Sequence, residues 1–128
     1  MSKTSVKAKL AMIQAFANFM DSGSQSATVI FYEGVQPVSP AVAADSNNAL
    51  VTLTFPEPCI KEVTPAYVEL HPTNTGSVIK SGTATWARIF NGAGEVAEDL
   101  TVGTDISLTN TNLALGGTLS TTSIKLRP

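Results

Sequence analysis

The chain holds one cysteine, Cys59, and one histidine, His71. A thiol becomes a nucleophile only when a base or a positive environment takes its proton, so His71 is the imidazole to consider beside it. Nothing in the spacing brings the two together, and the plainer reading of Cys59 is a small apolar packing residue. A single cysteine also excludes an internal disulfide and any multi-cysteine metal site. Glu57 with Glu62, or Glu62 with Glu69, would form an acid/base pair only if the fold set them at a suitable separation. Glu95, Glu98 and Asp99 cluster, but they lack the dense, regularly spaced oxygen ligands of a calcium loop and read as a solvated edge. Phosphate-loop, dinucleotide, zinc-protease and nucleophile-elbow sequences are absent. The sequence therefore assigns no catalytic residue, no metal ligand and no cofactor, and it points to a non-enzymatic protein.

Binding chemistry has a few more candidates. Trp86 and Arg88 lie two apart and would share one face of a strand. Such a pair is either an exposed platform for a sugar or a protein partner, or an arginine stacked on an indole beside the core; the stacked form is the plainer reading. Lys3, Lys7 and Lys9 crowd the start of the chain, where they form a solvated helix end or meet an acidic partner surface. These five residues, Lys3, Lys7, Lys9, Trp86 and Arg88, are the candidate partner contacts. Tyr32 and Tyr67 offer no better platform, and aromatics are only 6 % of the chain, so carbohydrate binding has no support in composition.

The elements that would position these groups are legible from periodicity. Over residues 4–21, Val6, Leu10, Ile13, Phe16 or Ala17, and Met20 recur at gaps of three and four, which predicts one amphipathic helix. Thr4 or Ser5 caps its start, and Ser22-Gly23 stops it. After Gly23 helical spacing is not seen again and apolar and polar residues alternate. Strands are expected at 27–33, 50–55, 59–63 and 66–71, with a long loop at 34–48 marked by Pro37, Pro40 and the Asp45-Ser46-Asn47-Asn48 cluster. Residues 77–90 read as one long strand or two short ones broken near Ser81-Gly82. Asn91-Gly92-Ala93-Gly94 is the strongest hairpin signal, followed by strands at 95–102, 106–109 and 118–126. The expected architecture is mainly β: an antiparallel β-sandwich, jelly-roll or immunoglobulin-like, of about seven or eight strands. Residues 1–23 form its N-terminal amphipathic helix and residues 24–128 the sandwich domain.

Length and charge narrow the function classes. At 128 residues the chain can bury one real core. Charged residues are 14 %, against about 25 % in ordinary soluble domains, so Ser, Thr, Asn and Gly must supply the surface polarity. A net charge of −2, with eight Lys and Arg spread along the chain, gives no basic stripe for nucleic acid. The basic start superficially has the form of a signal peptide, but Gln14 and Asn18 interrupt an apolar stretch too short and polar to span a membrane. The protein is read as made and kept soluble in a cytoplasm, with neither nucleic acid nor membrane as partner.

The segment Gly82-Thr83-Ala84-Thr85-Trp86-Ala87-Arg88-Ile89 resembles a family of small virion proteins encoded by tailed bacteriophages. Members look like a short N-terminal helix followed by a compact β domain. They carry a Gly-Thr-Ala-x-Trp-x-Arg strand, a glycine turn, an Asp-Leu or Asp-Ile strand opening and a Ser/Thr-rich final strand. The matching residues here are 82–89, Gly92 and Gly94, Asp105-Ile106-Ser107-Leu108, and 117–126. The helix and Ile30-Phe31-Tyr32-Glu33-Gly34 fit the family's opening, whereas residues 56–71 depart from its usual Ala/Gly-rich stretch with prolines and charges. The resemblance implies a structural component of the virion, assembled in the bacterial host cytoplasm. Its partners would be the major capsid or tail proteins. The role implied is a minor capsid or decoration protein; the alternative is a tail-tip or fibre-associated protein that binds a receptor or glycan. Virion symmetry makes a homo-oligomer the expected state.

Overall fold

The helical stripe closes where its caps predict. In the computed structural model, which describes residues 5–64, 67–106, 108, 110–121 and 124–126, α1 runs Val6–Met20. Ser5, rather than Thr4, is the cap: its hydroxyl accepts from Ala8 N at 3.2 Å. Ala17 and Met20 are fully buried, while Leu10, Ile13 and Phe16 are half-buried. The helix therefore enters the core by its C-terminal half.

The remainder is antiparallel β structure, as expected. Eleven short strands are formed among the described residues, more than the seven or eight anticipated. The first sheet has the order β2-β1-β7-β8, built from β1 (Thr28–Tyr32), β2 (Ala49–Thr54), β7 (Trp86–Phe90) and β8 (Val96–Thr101). The second has the order β11-β4-β3, from β3 (Ile60–Val63), β4 (Val68–Leu70) and β11 (Ile124–Leu126). Two short ladders complete the fold, β5 (Gly76–Ser77) with β10 (Thr118–Leu119) and β6 (Gly82–Thr83) with β9 (Asn112–Leu113).

The extra strands have a physical cause. The stretch expected as one or two strands over 77–90 breaks into β5, β6 and β7, because its ends serve different neighbours. Near β5 the chain lies along the outer edge of β2, where Asn74 N donates to Thr54 O at 2.9 Å and Ile79 N to Leu50 O at 2.8 Å. The 118–126 strand likewise divides, β10 pairing with β5 and β11 with β4. The strand expected at 106–109 falls partly outside the described residues; Ile106 makes an isolated bridge to Val102.

Register fixes which side chains meet. Val29 and Phe31 of β1 face Leu53 and Val51 of β2 and Ile89 and Ala87 of β7, and Ala87 faces Leu100 of β8. All of these are buried, and they form one core with Ala17, Met20, Phe55, Cys59 and Leu70. The helix touches both β4 and β8, so it ties the second sheet to the edge of the first.

The turn of the β7–β8 hairpin packs directly on the helix end. That turn is the one predicted: Asn91 Oδ1 accepts from Ala93 N at 3.0 Å and Glu95 N at 2.9 Å, and Gly94 takes φ +82°. Gly92 N donates to Met20 O at 3.2 Å, and Gly92 O accepts from Gln25 N at 3.2 Å. A Cβ on Gly92 would stand 1.9 Å from Gln25 O, and one on Gly23 would stand 2.3 Å from Ala93 N. Gly92→Ala should therefore lower stability by about 1–3 kcal/mol or more, as overpacking does. Gly94→Asn, in open space and in a region asparagine tolerates, should cost much less. Urea unfolding of the two variants checks the order.

Candidate functional site

Alternation along β7 sends Ala87 and Ile89 into the main core and Trp86 and Arg88 to the opposite face. That face is not open. Trp86 and Arg88 are each 2 % exposed, which corrects the exposed-platform reading of this pair and leaves the stacked one. Tyr32, opposite Trp86 on β1, stacks on the indole with ring centroids 4.4 Å apart and planes 14° from parallel. The Arg88 guanidinium carbon lies 5.4 Å from the Trp86 ring centre. Arg88 then meets Asp99 of β8 with both prongs, Nε to Oδ1 at 2.7 Å and Nη2 to Oδ2 at 3.0 Å. Asp99's hydrogen bonds raise the Arg88 pKa against the opposing effect of burial, and burial raises the Tyr32 phenol pKa.

The root of the long loop roofs this cluster. Thr85 Oγ1 donates to Gly34 O at 2.6 Å, and Thr101 Oγ1 donates to Gln36 Oε1 at 2.8 Å. Trp86 Nε1 is buried without a hydrogen-bond partner among the described residues. The acidic cluster is the solvated edge expected only at Glu95, which is exposed. Asp99 is spent on Arg88, and Glu95 accepts from Asn91 Nδ2 at 3.1 Å. Glu98 is half-buried, its pKa raised by burial first and then by Asp105 and Asp99.

Cys59 and His71 do come together, by backbone: His71 N donates to Cys59 O at 2.8 Å. The thiol is turned elsewhere. Its Sγ donates to Ala17 O at 3.5 Å, and Cys59 N is held by both Asp21 oxygens, at 3.1 and 3.2 Å. Burial, reinforced by the Asp21 carboxylate, pushes the thiol up to about 12, so it stays protonated at neutral pH. Cys59 is the packing residue expected, and with Asp21 it fastens the helix end to the second sheet. Glu62 and Glu69 are register partners across β3 and β4, while Lys61 pairs with Glu69 at 3.8 Å. Glu57 instead accepts from Ser26 Oγ at 3.2 Å. Among the described residues no group of three His, Cys, Asp or Glu is placed to hold a metal ion. No helix among them is long and apolar enough to cross a membrane. Lys7 is exposed and Lys9 half-buried on α1, and Lys3 lies outside the described residues.

Two surface features escaped the residue-type search, because neither contains a titratable group. Residues 34–44 carry no charge, and within them Val35 and Val38 are 91 % and 97 % exposed, with Val42 also exposed. A cleft of about 340 Å³ opens beside β5, β9 and β10, floored by Val78, Leu113 and Leu119 and rimmed by Asn110, Asn112 and Ser120. The signal for the first was an uninterrupted uncharged stretch in a loop. The second had no local signal, since its walls come from distant segments. No protein-family model, curated protein or solved structure matches the chain.

Two measurements test the roles assigned here. Asp99→Ala strands a buried guanidinium and should cost about 3–5 kcal/mol, whereas replacing Arg88 and Asp99 together with Met and Leu should be nearly neutral. Equal losses in the single and double variants would show that the stranded guanidinium is not the source of the cost. For Cys59 the folded thiol titrates above the unfolded one, so its contribution to stability is complete below about pH 8.5, the unfolded value. That contribution falls as pH rises towards 12. A thiol reagent at pH 8 should label native protein only at the unfolding rate, and fast labelling would contradict the burial.

Proposed function

We propose that this chain is a structural component of a tailed-phage virion, a minor capsid or decoration protein that works by occupying the particle surface. The reading is carried by the Gly-Thr-Ala-x-Trp-x-Arg segment at 82–89 and by the part it plays in this fold. Its tryptophan and arginine lie in the strand that links both halves of the first sheet, Trp86 against Tyr32 and Arg88 against Asp99. A motif of that kind preserves a scaffold, as a family of structural proteins would require.

The placement of reactive groups supports the same view. Cys59, Asp99, Arg88 and Glu95 are engaged in packing, capping or ion pairing. What remains outward is surface: the exposed valines of residues 34–44 and the lysine-bearing start of α1. Weak contacts of this sort become effective when repeated over a symmetric particle, where linkage can raise binding by about 10²–10⁴. The tail-tip or fibre alternative with glycan binding would need a platform of exposed aromatic rings, and Phe19 is the lone exposed aromatic among the described residues, with Trp86 and Tyr32 buried and Tyr67 half-buried. The decoration reading is preferred for that reason.

Cross-linking mass spectrometry on purified particles tests the proposal, with Lys3, Lys7 and Lys9 as reporters. Links to the shell-forming protein are the expected result and would mark the helix as a docking element. Links confined to tail or fibre proteins would move the chain to the tail, and absence from purified particles would overturn the virion assignment.

A further inference from the structure

The two uncharged surface features fit one another. Residues 34–44 leave the body of the protein from a fixed base. Thr85 holds Gly34 O, Thr101 holds Gln36, and Glu33 N donates to Asn48 O at 3.0 Å where the loop returns. The Asp45 side chain caps the 3-10 helix Ser46–Asn48 through Asn47 N at 2.9 Å. The far end is shaped too: Val42 N donates to Ser39 O at 3.1 Å, and Ala41 N to Ser39 Oγ at 3.2 Å, closing a turn with Pro40 at its corner. The loop is thus built to hold Val35 and Val38 off the surface. Exposed valines are unremarkable singly, but several on one uncharged, tethered segment mark an interaction site.

The cleft supplies what such a segment lacks. Its floor is apolar, from Val78, Leu113 and Leu119, and no charged side chain lines it. Its volume of about 340 Å³ lies within the range of cavities that hold a compact ligand, about 300–1,000 Å³. Exposed Ile79 and Leu115 extend the apolar surface beside it. The polar groups at its rim are amides and hydroxyls rather than ions. Asn110 Oδ1 accepts from Asn112 N at 3.0 Å, and Asn112 Oδ1 from Thr83 Oγ1 at 2.9 Å. Both amide nitrogens are left to donate, with no partner among the described residues. Pro37 and Pro40 lack N–H groups, so the arm offers carbonyl acceptors in excess of donors. Donor-rich rim and acceptor-rich arm are complementary, as are apolar floor and valines, and neither side brings a charge to be desolvated.

We infer that the arm at residues 35–42 of one copy seats Val35 and Val38 in the Val78–Leu113–Leu119 cleft of a second copy. The association is chain to chain through two different surfaces, so it either closes reciprocally as a dimer or repeats head to tail into a ring. It names the first partner of the proposed surface protein as another copy of itself, yet it stands on the purified chain and needs no particle.

Sedimentation equilibrium on the purified chain, over a wide concentration range, is the first measurement. Reversible self-association is expected, and Val35→Asp with Val38→Asp should weaken it at least tenfold while leaving the circular dichroism spectrum unchanged. Mixing a Val38→Cys variant with a Thr118→Cys variant under mild oxidation should give a mixed disulfide dimer, with little product from either variant alone; buried Cys59 does not compete. A chain monomeric at every concentration would overturn the proposal, as would self-association indifferent to the aspartates or failure of the mixed disulfide. Monomeric protein that still cross-links to particles through this loop would assign the arm to a different protein. Self-association without particle binding would sink the virion reading and leave this one intact.

Discussion

One buried charge pair constrains the rest of the fold, because neither member can be buried without the other. Arg88 sits in the strand that joins the halves of the first sheet, in a position with almost no access to water, and removing a guanidinium from water costs several kcal/mol unless its hydrogen bonds are met. Asp99 meets two of them, in the forked geometry that suits a carboxylate. That requirement sets the register of β7 on β8. A slip by one residue would set Arg88 against Glu98 or Leu100 and turn Asp99 toward the apolar core. With the register set, the Asn91 turn stands at one place. Gly92 then meets Met20 O, the helix end is fixed, and Asp21 reaches Cys59 N on the second sheet. Sheet, helix and second sheet are coupled through that sequence of contacts.

Burying β7 on both faces has a consequence for the surface. An apolar sheet face can be roofed only by chain that crosses it, and here the root of the long loop crosses it through Gly34 and Gln36. The indole N–H of Trp86, without a hydrogen-bond partner among the described residues, costs about 1–3 kcal/mol, set against the stacking of Tyr32 and Arg88 on the same ring. Because the root is pinned, the rest of the loop has little freedom to fold back, and its valines stand outward. Closing the second face and presenting the exposed arm thus share one anchor. The edge strand β8 is guarded differently: Glu98 points to the core side of the sheet, and an inward charge on an edge discourages strand addition by a neighbour.

What could be read from the sequence follows from how local each cause is. The helix, its cap at Thr4 or Ser5 and the Asn91 hairpin are set by residues within a few positions of one another and were legible, though the choice of Ser5 came only with the fold. So was the alternation of Val51 and Leu53 with Thr52 in β2. The division of 77–90 and 118–126 into separate strands was not, because it depends on which distant edge each piece reaches. Asp99 read as a member of a solvated acidic cluster, since its partner lies across a hairpin and its burial is decided by the loop above. The pairing of Cys59 with the helix end was hidden for the same reason: Asp21 and Ala17 are near neighbours only in space.

About half of the chain's small complement of charge is engaged within this architecture. Arg88 with Asp99, Lys80 with Glu33 and Lys61 with Glu69 are paired, Asp21 and Asp45 cap backbone N–H groups, and Glu95 closes the turn. The buried Arg88–Asp99 pair is withdrawn from recognition in this way, whereas Lys61 and Lys80 stay about half-exposed in their pairs. The two kinds of surface left over then obey different physics. Contacts made by Lys7 and Lys9 on the helix are screened over about 8–10 Å by ordinary salt. Contacts made by the valine arm and the neutral cleft scale with apolar area, which salt weakens little and kosmotropic salt strengthens. With a net charge of −2, long-range steering contributes little to any encounter.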